Sequence, residues 1–480
     1  MISGEIPLSR ERAYGLEKIG TFSRYVVLGM FLVSISVFFI TFLTELNIFS
    51  EFVHDRLMVS AFAMQLIFPA AFIFVAYENL KIRLNSKYVP YFLLLFLVYA
   101  IFLFSLLSFV WSDYPLYAIK KSITIFVPVI LLSVVMLFDD NPIKTFNYVS
   151  IIFVATSLLS SIYGEIVLFA GKINPIPLSE NIYEQSISLG ILKVSQIVYG
   201  TLPFLRISSF LSNPNSLAVL NSVGIVFTLY LSRIKYIKNS TGAFLLFVQA
   251  VSLLLTFSRD GILFVALMLF AYFLWFAKRG TLQVAGLLFA GVLLVLFLLE
   301  IYLVYQSIHP TYSHTDGQSF LEKRLSLGLN GRDRIWRPVV EQITATPLFG
   351  IGFGAATEAI LRPLGIEHTV HSSHLQILAE LGIAGYALFL LVFFTFGWFA
   401  LRAMQRPSDL VVRNVGAATF SLVFGFFLHD FLESVIVLWG PFTLLTAYAM
   451  FTLLHPRVIG EVVRKGEMRG IPVSEDSVYT

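Results

Sequence analysis

An all-α, polytopic integral membrane protein of about twelve transmembrane helices is predicted by three features of the chain. Hydrophobic residues make up 57% of its 480 positions and charged residues only 13%, against roughly 25% charge in a typical soluble domain. Apolar runs long enough to cross a bilayer recur along the sequence. Lysine and arginine collect in alternate connecting loops, the bias that orients spans in a membrane.

Forty-eight phenylalanines supply lipid-facing and packing surface without adding a polar atom. No cysteine is present, which excludes disulfides, iron–sulfur clusters, thiolate zinc sites and cysteine nucleophiles. The net charge of +4 is modest, and no nucleic-acid partner is expected.

The polar N-terminus holds Arg10, Arg12 and Lys18. The apolar run after it lacks a small-x-small cleavage site and is longer than a signal-peptide core, so it reads as an uncleaved first span. Twelve spans are expected, at 23–44, 57–77, 91–111, 119–138, 147–170, 215–232, 242–257, 260–277, 283–305, 375–402, 411–429 and 434–454. Only Ser258-Arg259-Asp260-Gly261 separates the seventh from the eighth, which predicts a helical hairpin.

One set of loops carries Lys81, Arg83 and Lys87, then Arg233, Lys235 and Lys238, then Lys278 and Arg279, then Arg402, Arg406 and Arg413. The tails add Arg457, Arg464, Lys465 and Arg469 to the basic residues at the start. With twelve spans all of these share one side with both termini, and that side is expected to be cytoplasmic. Residues 1–456 then form the transmembrane domain and 457–480 a polar cytoplasmic tail. Two long external segments, 171–214 and 306–374, fall on the periplasmic side, the second between spans nine and ten. Loops of this length are often functional.

Several cations break the charge bias by lying at the outer face: Lys120, Lys121, Arg206 and Arg259. Ionisable groups at such depths are functional candidates. An arginine fork matches phosphate oxygens, and a lysine adds a compact point charge. The alternative is that these side chains snorkel to anionic headgroups.

The second external segment contains Gly331-Arg332-Asp333-Arg334-Ile335-Trp336-Arg337, then Pro347 and the glycines Gly350, Gly352 and Gly354. A helix is expected from Arg332 to about Gln342, ended by Pro347. The glycines allow tight turns, but no βαβ unit surrounds them, so a dinucleotide reading is weak.

His371 opens the tenth span and is suited to accept a proton from a sugar hydroxyl near neutral pH. His374 stands one turn further on. No third ligand with convincing spacing accompanies them and HExxH is absent, so no metal and no cofactor are expected. His429, Asp430 and Glu433 make another polar island, read as one helix face bearing either a base or a structural salt bridge.

Taken in order, these motifs resemble the O-antigen ligase and O-antigen polymerase superfamily. The resemblance rests on Arg206 before Phe210 and Asn213-Pro214-Asn215; on Ser258-Arg259 closing a hydrophobic span; on Gly331-Arg332 with Trp336 leading to Pro347 and Gly350-Ile351-Gly352; and on His371 with Leu375 leading to Glu380-Leu381-Gly382-Ile383-Ala384-Gly385. It covers roughly 200–400 together with the span pattern. Ser372 departs from the asparagine that commonly follows the histidine.

The resemblance implies a metal-independent, GT-C-like multi-spanning glycosyltransferase of the bacterial inner membrane. Its donor would be a glycan on undecaprenyl diphosphate. Its acceptor would be the lipid A core or a growing lipid-linked chain. Arg206 and Arg259 would hold the diphosphate, with Arg332, Lys120 and Lys121 as further substrate-binding candidates, and His371 would help activate the acceptor hydroxyl. The competing reading is a transporter or flippase for a lipid-linked or anionic substrate. That reading predicts charges midway along spans, whereas most charges here lie at span ends.

Overall fold

The computed structural model describes residues 10–45, 50–83, 88–174, 178, 182–189, 192–201, 204–211, 213–276, 332–366, 369–404, 410–436 and 440–458. The expected ninth span at 283–305 and most of the tail lie outside the described residues. In chain order the helices are α1 (Arg10–Glu45), α2 (Glu51–Arg83), α3 (Val89–Leu107), α4 (Pro115–Met136), α5 (Pro142–Ala170), α6 (Pro214–Arg233), α7 (Asn239–Leu255), α8 (Arg259–Leu274), α9 (Arg332–Ala345), α10 (Ser373–Met404), α11 (Leu410–His429) and α12 (Pro441–Leu454).

Eight of these, α1 to α6 with α10 and α11, are long and apolar enough to cross a bilayer. The apolar helices α7, α8 and α12 are shorter, at 17, 16 and 14 residues. Proline sits in the first turn of α3, α4, α5, α6 and α12, where its missing N–H leaves no partner wanting and its fixed φ suits the helix.

The structure departs from the sequence reading in three places. The all-α expectation fails in the first external segment, which folds into an antiparallel sheet ordered β1 (Lys172–Ile173), β2 (Ile182–Leu189), β3 (Leu192–Thr201), β4 (Phe204–Ile207). The expected hairpin of spans seven and eight does not close. α7 packs on α5 and α6, while α8 packs on α6 and α11. The expected twelfth span shortens to α12, because residues 430–436 leave the helical path and fold beside the start of α10.

A polar seam ties α5, α6 and α7 inside the bundle. Ser157 and Ser161 donate to Asn221 Oδ1 at 2.8 and 3.0 Å, and Asn221 Nδ2 donates to Ser252 Oγ at 2.9 Å. Such contacts join helices where lipid gives apolar faces no reason to associate.

Two sequence motifs prove to be halves of one structural unit. α10 is broken at Gly382, whose φ of 64° and ψ of −168° only glycine adopts readily. The break frees backbone groups that the loop after Pro347 takes up. Ile351 and Gly352 N–H donate to the Ala379 and Glu380 carbonyls, at 3.1 and 2.8 Å. Ile383 and Ala384 N–H donate to the Pro347 and Leu348 carbonyls, at 2.8 and 3.2 Å. Non-helical backbone at membrane depth survives only where protein satisfies it in this way.

A Cβ at position 382 would lie 2.3 Å from the Leu348 carbonyl carbon. Gly382→Ala is therefore expected to lower stability by at least ~2 kcal/mol, from the left-handed φ and the clash together. Thermal unfolding of the purified protein checks this; an unchanged midpoint would refute the exchange of backbone partners.

Candidate functional site

The sheet delivers the first arginine. Gln196 and Gln185 reach from it to the carbonyls of Gly164 and Leu168 on α5, at 3.0 and 2.9 Å, and fix it on the bundle. Strand β4 pairs with β3 so that Arg206 lies opposite Tyr199. Arg206 Nε then donates to the Thr256 carbonyl at 2.8 Å, and its Nη2 to Asn215 Oδ1 at 2.8 Å.

The Asn-Pro-Asn motif divides its labour. Asn213 caps α6, its side chain accepting from Asn215 N–H at 2.8 Å. Pro214 begins the helix. Asn215 is the bridge: Oδ1 also accepts from Ser258 Oγ at 3.0 Å, and Nδ2 donates to Glu433 Oε1 at 3.0 Å.

Ser258 in turn caps α8 by accepting from Gly261 N–H at 3.1 Å. Phe257, just before it, is held at a φ of 45°. Arg259 follows as the first residue of α8 and is exposed. A Cβ on Gly261 would lie 2.3 Å from Ala218 Cβ, so the α6 and α8 ends meet closely here.

From the other side come α9 and the segment before α10. Trp336 is fully buried, and its indole N–H donates to the Val370 carbonyl at 2.8 Å, fixing the backbone next to His371. Arg332 is also buried, and its Nη2 donates to Asp260 Oδ2 at 2.7 Å and Glu433 Oε1 at 3.0 Å. His371 lies two residues ahead of α10 rather than within it, at a φ of 55°. Its Nδ1 is 2.8 Å from Glu433 Oε2. Ser372 accepts from Leu375 N–H at 3.3 Å through its hydroxyl, just ahead of α10.

Glu433 is thus the hub. It joins Asn215, Arg332 and His371, and through Asn215 it reaches Arg206 and Ser258. The expected helix face of His429, Asp430 and Glu433 does not exist, because α11 ends at His429. Asp430 turns inward, and its carboxyl accepts from Val435 and Ile436 N–H at 3.2 and 3.0 Å. The Asp430 carbonyl accepts from Ser373 N–H at 2.9 Å, so the segment is stitched to the start of α10. His429 packs its ring against Phe264.

The two carboxyls are driven apart. Burial pushes Asp430 up to about 8, with the charge of Glu433 beside it acting in the same direction. Burial alone would also raise Glu433, but the hydrogen bond from His371 and the charges of Arg332 and His371 hold it at about 2. At neutral pH Glu433 is ionised and Asp430 largely protonated.

Since Asp430 has a raised folded value, its contribution to stability is full below the ordinary carboxyl range near 4. That contribution is lost as pH climbs through about 8. Asp430→Asn is expected to fold, to stay active at pH 7 and to lose this alkaline decline. Thermal unfolding between pH 5 and pH 9 measures the slope (a range on the order of the titration expected from the linkage relation). A variant with the same slope as the parent would exclude Asp430 as its source.

Other expected site residues stand elsewhere. His374 is buried, with Nδ1 3.0 Å from the Tyr386 hydroxyl and Nε2 3.0 Å from the Phe427 carbonyl, and it stacks on Phe431 at 3.6 Å. It serves packing, not the His371 cluster. Lys121 reaches both oxygens of the buried Glu380 carboxylate at 3.1 Å and lies over the Phe353 ring, so its charge is already matched. Lys120 is exposed.

Beside the site a partly open apolar hollow lies among α3, α4, α10 and α12, lined by side chains such as Val98, Ile125, Phe353, Leu381 and Met450. Ile436, whose N–H binds Asp430, forms part of its wall. The hydroxyls of Thr443 and Thr446 in the lining donate to the Val435 and Phe442 carbonyls. Such a lining favours hydrocarbon over water.

Among the described residues no three His, Asp or Glu side chains gather as a metal site. Residues 243–390 match the family model described as O-antigen ligase. That stretch holds Arg259, Arg332 and His371, while Arg206, Asn215 and Glu433 lie outside it. No curated protein matches the chain.

Proposed function

We propose, from the match of residues 243–390 to the family model described as O-antigen ligase, that the chain transfers an undecaprenyl-diphosphate-linked glycan to an acceptor hydroxyl. The reaction takes place at the periplasmic face of a bacterial inner membrane, with both termini in the cytoplasm. The observation that carries this reading is the 2.8 Å contact of His371 Nδ1 with Glu433, which also binds Arg332 directly and Arg206 through Asn215.

An ionised carboxylate can only accept a hydrogen bond. Nδ1 of His371 therefore carries the proton, and Nε2 is left as a base. It takes the proton of the acceptor hydroxyl as that oxygen attacks the anomeric carbon. The bond from that carbon to the diphosphate oxygen breaks, and its electron pair leaves with the diphosphate. Arg206 and Arg259 hold the charge that grows there, the role a metal plays in other transferases. Arg332, tied to Asp260 and Glu433, braces the dyad. The apolar hollow suits the hydrocarbon chain of a lipid-linked substrate.

The acceptor is tested by the glycan ladder of a deletion strain. Loss of every core-attached chain means a ligase acting on the lipid A core. Loss of long chains with one repeat retained means a polymerase acting on another lipid-linked chain. An unchanged ladder of every surface glycan would reject both. Transfer by the purified protein is expected to survive EDTA.

A further inference from the structure

At the end of the bundle opposite Glu433, two arginines close on one ring. α6 runs from Pro214 at the site to Arg233, α8 runs from Arg259 to Leu274, and α11 returns from Leu410 to His429. The 20 residues of α6 rise about 30 Å, the thickness of a bilayer's hydrocarbon core. Arg233 and Arg413 therefore stand one membrane's width from the reactive cluster, at the headgroup level of the other leaflet.

The Arg233 guanidinium carbon lies 4.7 Å from the centroid of Phe276, 5.4 Å from that of Phe273 and 5.5 Å from that of Tyr272. The Arg413 guanidinium carbon lies 5.0 Å from the same Phe276 ring, and its Nη2 donates to the Phe276 carbonyl at 3.4 Å. Tyr272 is itself locked, its hydroxyl donating to Asn414 Oδ1 at 3.0 Å.

Stacking occupies the faces of a guanidinium and leaves the N–H edges for an acceptor in its plane. Both arginines are exposed, and among the described residues neither pairs with a carboxylate, unlike Arg24, Arg332 and Arg457. Two like charges held against one ring repel, and an anion between them removes that cost. Generic attraction to a charged surface needs neither the shared ring nor the locked tyrosine.

We propose that Arg233 and Arg413 chelate the phosphate of an anionic phospholipid headgroup in the leaflet opposite the reactive site. A phosphodiester fits two forks at once. A phosphatidylcholine headgroup carries its own cation and competes poorly. The bound lipid would clamp α6, α8 and α11 together at the end farthest from Glu433.

Native mass spectrometry of the full chain tests this with phosphatidylglycerol, phosphatidylcholine and inorganic phosphate as separate probes. The parent protein is expected to retain phosphatidylglycerol at least ~10-fold more strongly than phosphatidylcholine, a difference of about 1.4 kcal/mol. Arg233→Gln with Arg413→Gln should abolish that preference. Arg402→Gln, which removes an arginine stacked on Trp398 instead, should leave it intact. Arg233→Lys with Arg413→Lys keeps the charge and loses the forks, so most of the preference should go; this pair carries the test if the glutamine pair misfolds. No preference in the parent protein, or one that survives the lysine pair, overturns the chelation. Displacement of the lipid by inorganic phosphate at equal concentration would reassign the site to a free anion and overturn the lipid reading.

Discussion

His371→Ala is expected to cut glycan transfer by roughly 10²–10⁴-fold, the range typical of losing a positioned general base, with membrane levels of the protein unchanged. The side chain meets Glu433 at 2.8 Å and is partly exposed, outside the buried core, so its removal opens no core cavity. Glu433→Gln should cost nearly as much by a different route. A glutamine can donate as well as accept, so it no longer dictates which imidazole nitrogen bears the proton, and Arg332 loses one of its two carboxylate partners.

His374→Ala should do the reverse. It removes a buried ring stacked on Phe431 and hydrogen-bonded at both nitrogens, so it should lower thermal stability and membrane level more than turnover per molecule. Single-turnover transfer with purified protein separates the cases. A His371→Ala protein that transfers at the parent rate would remove the histidine from the chemistry and leave the Glu433 hub as an architectural device.

The site was readable in the sequence as a list and unreadable as an arrangement. Arg206, Arg259, Arg332 and His371 stand out because each is an ionisable residue beside an apolar span or within a polar external segment. What joins them does not stand out. Glu433 shares helical spacing with His429 and Asp430, and nothing local announces that α11 stops at His429. The inward turn of Asp430 depends on N–H groups five and six residues ahead of it.

Lys121 misleads for the same reason. Its partner Glu380 lies 259 positions away, and nothing local to either residue pairs them. The break at Gly382 is silent too: the motif from Glu380 to Gly385 contains it, but glycine is common in unbroken membrane helices. Only the loop that docks there makes it a hinge point. The sheet was more legible than the all-α expectation allowed. Residues 182–189 and 192–201 are rich in Ile, Val and Tyr, and in the sequence only Gly190 and Ile191 separate them. The signal was blurred because the inward face carries Gln185 and Gln196, which serve α5 carbonyls instead of an apolar core.

Arg206→Lys and Arg259→Lys test whether geometry or charge holds the leaving group, and each is expected to lose roughly 10²–10³-fold in transfer, as when one donor to a developing anion is removed. At position 206 a lysine cannot span both existing acceptors. The arginine contacts the Thr256 carbonyl through Nε and Asn215 through Nη2. A single ammonium would satisfy one and release the other. Releasing Asn215 loosens its hold on Ser258 and Glu433, so the effect should reach the histidine dyad as well as the diphosphate. At position 259 the side chain is exposed at the first turn of α8, so substitution should leave folding intact. Arg206→Ala, lacking both fork and charge, should fall at least as far as Arg206→Lys. Complementation of a deletion strain, with membrane levels followed by blot, gives the readout. Full-length glycan ladders from Arg259→Lys and Arg206→Ala alike would mean that neither arginine grips the diphosphate. Arg332 is already committed to Asp260 and Glu433, so the anion site would then have to be sought away from this cluster.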